Sequence, residues 1–325
     1  MQRNEKAQTS IHAESLRSAA RDDKSFPAGA LTARAQLHLD LDGAWPREAL
    51  PLAGYVDCRR WGPALRYSAT RRGIEDFHAF ASTHAADFRL FGSGDFHHLS
   101  ALWLRRISEP FTLVSFDNHP DWDIRPPRWC CGTWLNRALE LPRLRRAVVW
   151  GCGNFELNFP GWLFANHRAL RTGRLEVRPW TERLKPAAQR RWPGMRSENW
   201  REHFARFVEG LAGEKVYVTV DLDCLRAEEA ATNWESGLFS TEDIAWALRQ
   251  ISAAAEVIGG DVCGACSAPQ YARWKQRIEA TLDHPRLEAI DPAQALARNT
   301  RALRAIWPAL TGGHEEDAGA EQQDA

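Results

Sequence analysis

Val114-Ser115-Phe116-Asp117-Asn118-His119-Pro120-Asp121-Trp122-Asp123 runs from an apolar strand straight into Asp-x-His-x-Asp. On an extended backbone, residues two apart point the same way. Asp117, His119 and Asp121 are therefore expected to converge at the strand's carboxyl end. Two carboxylates and an imidazole there make a cation site, not a packing surface. The ordinary alternative is an Asx-turn closing a strand with a hydrogen-bonded histidine beside it. That accounts for one acid, not for three polar residues in alternation.

Two other segments repeat the pattern. Val216-Tyr217-Val218-Thr219-Val220-Asp221-Leu222-Asp223 ends a strand in Asp-x-Asp. Phe91-Gly92-Ser93-Gly94-Asp95-Phe96-His97-His98 ends one in a Gly-rich turn with paired histidines. Such a turn could instead hold a phosphate at a helix N-terminus. Taken together, the three segments offer several carboxylates and two or three imidazoles, enough for two divalent ions. Carboxylates can bridge two such ions, and a shared water is then acidified to hydroxide that attacks an sp² carbon or a phosphorus. Imidazole favours Mn2+, Fe2+, Co2+ or Zn2+ over Mg2+ or Ca2+.

Around these motifs, β-rich runs alternate with helical patterns. Strands are expected near 36–41, 87–92, 111–117, 146–151, 174–179, 215–222 and 256–262. Helices are expected near 74–84, 97–107, 132–140, 198–211, 241–254, 270–281 and 293–306. This alternation predicts an α/β domain with a mostly parallel sheet covered on both faces. Ligands of such sheets bind at the carboxyl ends of the strands, where all three motifs fall. Residues 1–33 are polar and aperiodic and are expected to form a disordered arm. The tail from Thr311 carries Gly312-Gly313 and five acids with no base, and is also expected to be disordered, which leaves 34–310 as the domain.

Composition narrows the partners. The 325 residues carry a formal net charge of zero, and no apolar run approaches membrane-spanning length. Residues 143–206 hold fourteen bases against five acids, read as a solvated face because aromatic interleaving there is irregular. The expected partner is a small-molecule substrate, with no nucleic acid and no membrane; a homo-oligomer is left open. Seven cysteines, at 58, 130, 131, 152, 224, 263 and 266, lack disulfide-scaffold spacing. The N-terminus has no signal-like apolar stretch. Free thiols in the cytoplasm are the expectation. Cys263-x-x-Cys266 has no second cysteine pair of the kind a zinc site wants, and is read as small residues packed near the metal centre.

The order of motifs resembles the arginase/agmatinase (ureohydrolase) family over roughly residues 35–307, with this chain a divergent member. Gly237-Leu238-Phe239-Ser240 before a helix and Gly260-Asp261-Val262 resemble two further family segments. The resemblance implies a three-layer α/β/α fold with a mostly parallel sheet of about eight strands. It also implies two Mn2+ ions and hydrolysis of guanidinium groups. By position, Asp117, Asp121 and Asp221 become shared or first-metal ligands, and His119 and Asp223 hold the second metal. A gapless match makes His97 the first-metal imidazole, and one inserted residue makes it His98. Three departures concern the groups beyond the metals. The family's Asp-Pro after Asp-x-Asp is replaced by Cys224-Leu225-Arg226. Its guanidinium-gripping Glu is replaced by Gly264, and its proton-transferring His-Gly by Cys131-Gly132. Glu235 or Asp123 is the candidate replacement carboxylate.

The expectation is a binuclear metal-dependent hydrolase of a C–N bond, guanidino- or amide-type, in a small molecule, but not a standard arginase. Metal-activated hydroxide is the nucleophile, and Asp121, Cys131 and Glu235 are the candidate catalytic residues. The alternatives are a deacylase of an acylated amine on the same cradle, or a non-catalytic metal-binding or interaction protein.

Overall fold

The computed structural model describes residues 34–312. Eight strands form one sheet: β1 (Gln36–Asp40), β2 (Gly54–Asp57), β3 (Phe88–Phe91), β4 (Phe111–Phe116), β5 (Leu144–Trp150), β6 (Leu175–Arg178), β7 (Lys215–Asp221) and β8 (Glu256–Cys263). Their order is β2-β1-β3-β8-β7-β4-β5-β6, and every pairing is parallel. The connecting helices are α1 (Gly62–Leu65), α2 (Arg71–Ala81), α3 (Ser100–Leu104), α4 (Trp134–Ala138), α5 (His167–Arg171), α6 (Pro186–Gln189), α7 (Trp200–Glu209), α8 (Thr241–Ala254), α9 (Trp274–Asp283) and α10 (Pro292–Thr311).

Alternation along each strand builds two cores, one on each face of the sheet. Leu37, Leu39, Leu113, Ala147, Val149 and Tyr217 pack on the side of α2, α3 and α4. Val114, Phe116, Val148, Trp150, Val216, Val218 and Val220 pack on the side of α7, α8 and α10. A sheet buried on both faces reads as near-continuous apolar runs, and this made its strands legible in the sequence. The result is the expected α/β/α arrangement of three layers.

All seven expected strands and all seven expected helices are present. The additions are the short helices α1, α5 and α6 and the strand β2, a half-exposed edge strand of four residues with no apolar run to announce it. The last helix continues past its expected end to Thr311. Gly312, at φ 78°, caps it in the left-handed conformation that glycine adopts without strain. Thr311 and Gly312 thus belong to the domain; the expected arm 1–33 and the rest of the tail lie outside the described residues. Among the described residues, no helix is long and apolar enough to cross a membrane.

Candidate metal centre

The four strands β3, β8, β7 and β4 are neighbours in the middle of the sheet, and their carboxyl ends carry the site. The backbone differs from the extended one expected from sequence. Side chains two apart on a strand sit about 6.6 Å apart, and four apart about 13 Å. Asp117 and Asp121 could not meet that way. Instead β4 stops at Phe116 and the chain turns. The backbone N–H of His119 donates to Asp117 Oδ1 at 2.7 Å, and Asp121 takes a positive φ of 47°. An Asx-turn is therefore present, and it is the device that folds the three polar side chains together. Likewise β7 ends at Asp221, whose Oδ1 accepts from the N–H of Asp223 at 3.0 Å.

The side chains fall into overlapping donor groups. His97 Nδ1 lies 3.1 Å from Asp117 Oδ2, 3.4 Å from Asp121 Oδ2 and 3.4 Å from Asp221 Oδ2. His119 Nδ1 lies 2.7 Å from Asp223 Oδ2 and 3.6 Å from Asp117 Oδ1. Asp117 thus gives one oxygen to each group. His98, the alternative to His97, belongs to no donor group among the described residues. Both its ring nitrogens are buried without a partner, and burial lowers its pKa to about 3. The cause is local: Gly94–Leu99 is a 3-10 helix, and three residues per turn send neighbouring side chains about 120° apart.

Neighbouring groups orient both imidazoles. Thr219 donates its hydroxyl to Asp261 Oδ1, so its oxygen, 2.9 Å from His97 Nε2, must accept from that nitrogen. Tyr217 and Ser100 also donate to Asp261, at 2.7 and 3.0 Å. This leaves Nδ1 of His97 facing three carboxylate oxygens. A lone pair there would be repelled, so this nitrogen either carries a proton or meets a cation. On the other ring, His119 Nε2 lies 3.2 Å from Glu235 Oε2. Glu235 thereby orients His119, as a carboxylate does a candidate ligand histidine. Asp123, the other candidate replacement carboxylate, is held by the backbone and guanidinium of Arg125.

Charge completes the test of whether the residues suit metal ions. Asp117, Asp121, Asp221 and Asp223 are each 5% exposed or less. Among the described residues no Lys or Arg pairs with any of them; their cationic contacts are His97 and His119. Fully ionised, four carboxylates against two imidazolium rings would leave two negative charges buried, which protons or metal ions must offset. Burial opposes charge on His97, yet Asp117, Asp221 and Asp121 outweigh it and hold its pKa up at about 10. Burial also raises Asp121, Asp221 and Asp223. The separations of 3.1–3.4 Å are those of ligands ~2.0–2.2 Å from a common centre. The donor set fits divalent ions.

Over the cluster lies a cavity of about 40 Å³, lined also by Cys131, Asn154, Phe155, Glu156, Trp234 and Asp283. That is room for about three waters. Cys131 stands where expected, with its sulfur 4.0 Å from that of Cys130. Contact with that sulfur and burial raise its pKa well above the usual thiol range. Burial lifts Glu156 to about 7. The sequence reading missed Glu156 and Asp283. Glu156 follows the carboxyl end of β5, which could have marked it. Asp283 ends α9 and gave no such signal.

Gly264 has a physical reason. At φ 104°, a Cβ there would lie 2.2 Å from Asp221 Oδ1 and 2.5 Å from the backbone nitrogen of Leu222. No side chain fits, so no carboxylate comes from this position. The turn bearing His97 is anchored by Asp95, fully buried, which accepts from Arg66 Nε at 2.7 Å and Trp234 Nε1 at 3.2 Å. His284 Nε2 lies 2.7 Å from Oδ1, the oxygen that also accepts from Trp234.

No family model matches the chain. Solved structures do. Formimidoylglutamase from Bacillus subtilis superposes with a TM-score of 0.52 at 13% identity, covering 94% of this chain and 98% of that one. Proclavaminate amidino hydrolase from Streptomyces clavuligerus gives 0.50 at 16%, covering 89% and 94%. The chain has the arginase-like fold. An arginase from Bacillus subtilis gives 0.50 at 11%, covering 84% and 98%. In sequence, an uncharacterized protein of Thermotoga maritima is 26% identical over 242 residues, 74% of this chain and 82% of that one.

Proposed function

We propose that this chain is a binuclear, metal-dependent hydrolase of a C–N bond in a small molecule. The observation that carries this reading is the buried cluster of four carboxylates and two oriented imidazoles, with no Lys or Arg paired to those carboxylates among the described residues. His97, Asp117, Asp121 and Asp221 would hold one ion, and Asp117, His119 and Asp223 the other. The oxygen-rich set with one imidazole per ion suits Mn2+ first, then Fe2+, Co2+ and Zn2+. When bound, two such ions supply Lewis acidity and a nucleophile at neutral pH.

The chain's own groups do the rest. Thr219 and Glu235 fix the two imidazoles. Cys131, which lines the cavity with its thiol held protonated, would serve as a donor to the departing nitrogen. Glu156, titrating near neutrality, is suited to take and return a proton. With the cluster balanced by cations, Asp283 and the ionised form of Glu156 would leave the cavity anionic, and among the described residues no Lys or Arg lines it. That suits a neutral or cationic substrate over an anionic one. Gly264 argues against the guanidinium grip of an ordinary arginase, which keeps removal of an acyl group from an amine as a second reading.

The test is metal-loaded protein assayed against guanidino, formimino and acylamino compounds, reading release of urea, formamide or free amine. Turnover of one class that chelation abolishes is the expected result. Full metal content with no turnover of any class would favour a non-catalytic metal-binding protein.

A further inference from the structure

One donor in the cluster lies outside the three segments that carry the acids and histidines. Cys263 is the last residue of β8, and β8 lies between β3 and β7. The His97 turn follows β3, and Asp221 ends β7, so the end of β8 sits directly between them. Register brings Cys263 beside Asp221 across the β7–β8 ladder. Its thiol is fully buried and donates to Asp221 Oδ2 at 3.4 Å. That same oxygen lies 3.4 Å from His97 Nδ1. The sulfur, the imidazole nitrogen and a carboxylate oxygen all lie within 4.8 Å of one another, as donors to one ion do. Past Cys263 the chain leaves at once. Gly264 turns at φ 104°, and its N–H donates to the carbonyl of Gly92 at 3.0 Å. The sulfur is thus fixed at the cluster, while Cys266 belongs to no donor group among the described residues.

We infer that Cys263 is a thiolate ligand of the ion held by His97 and Asp221, and that it biases this site toward a softer ion, Zn2+ over Mn2+. The inference rests on the proposal that the cluster holds metal. Binding forms a metal–sulfur bond and releases the thiol proton to solvent. Thiolate donors select softer ions, whereas carboxylates suit Mn2+. The second group, of Asp117, His119 and Asp223, has no sulfur, so the two sites would differ in preference.

Metal-stripped protein, kept reduced with a phosphine so that no thiol is added, is loaded with Co2+. Visible d–d bands report bound cobalt whatever its ligands, and a near-ultraviolet sulfur-to-cobalt band reports the thiolate. The wild type should show both. Cys263→Ser should keep the d–d bands and lose the sulfur band, and Cys131→Ser should keep both. In an equimolar mixture, the Zn2+:Mn2+ ratio taken up should fall roughly tenfold or more in Cys263→Ser. If that variant does not fold, X-ray absorption of the zinc-loaded wild type decides, and one sulfur neighbour is expected. Cobalt d–d bands without the sulfur band, or zinc without a sulfur neighbour, overturn this inference alone. No cobalt binding overturns the proposed cation site and this inference with it.

Discussion

Raising the pH of the metal-free protein from 7 to 9 is expected to lower its thermal midpoint by about 4 °C, and added Mn2+ to abolish the drop. The reasoning starts at His97. Its folded pKa is about 10, above the 6.5 of the free side chain. The folded state therefore keeps a proton that the unfolded chain gives up. That stabilisation is fully present below pH 6.5 and is lost as pH rises through about 10. Integrating the difference in bound protons from pH 7 to 9 gives about 2.5 kcal/mol. For a domain of this size that is about 4 °C. The raised carboxyl groups of Asp121, Asp221 and Asp223 act in the same direction. A metal ion replaces the proton, so the loaded protein should not share this slope. Differential scanning calorimetry in chelator and in Mn2+, on wild type and His97→Gln, checks this. The variant should be flatter in chelator. A wild-type midpoint that is level or rises between pH 7 and 9 in chelator would refute the argument.

Other expectations follow from single contacts. Glu235→Gln should weaken metal binding about 10–100-fold by loosening His119, read by calorimetric titration with Mn2+. Arg66→Ala should cost about 3–5 kcal/mol in denaturant unfolding, because it takes the guanidinium away from the buried carboxylates of both Asp95 and Asp42. Arginine and agmatine should be hydrolysed ~10⁴-fold or more below the true substrate, since Gly264 offers a guanidinium no carboxylate. Urea release at ordinary arginase rates would contradict that, and would direct attention to Glu156 and Asp283 as the partners.

Much of this architecture was legible because buried parallel strands advertise themselves. Val216–Val220 and Phe111–Phe116 are apolar on both faces of the sheet and end in acids, and that pattern survives without knowledge of neighbours. β2 was not legible because a four-residue edge strand needs no apolar run. The convergence of Asp117, His119 and Asp121 was expected for the wrong geometric reason. Alternation marked the residues, but an Asx-turn and the positive φ of Asp121 bring them together. The choice between His97 and His98 needed the 3-10 turn, which the Gly-rich sequence does not declare. Asp283 was illegible as a site residue because only the packing of α9 carries it to the cavity, whereas Cys263 was read as a small packing residue because only strand order sets its thiol beside Asp221. Glu235 was singled out for the substrate, whereas its carboxylate lies against His119.

The central claim is that this buried acidic cluster holds two cations, and metal content tests it most directly. Stripped protein would be reloaded with excess Mn2+, freed of unbound ion and analysed for metal and protein together. The account predicts close to two equivalents per chain. Asp117→Asn should lose most of it, because an amide cannot serve both ions as the carboxylate does. A wild-type value near zero, or an Asp117→Asn variant that still holds two ions, would contradict it.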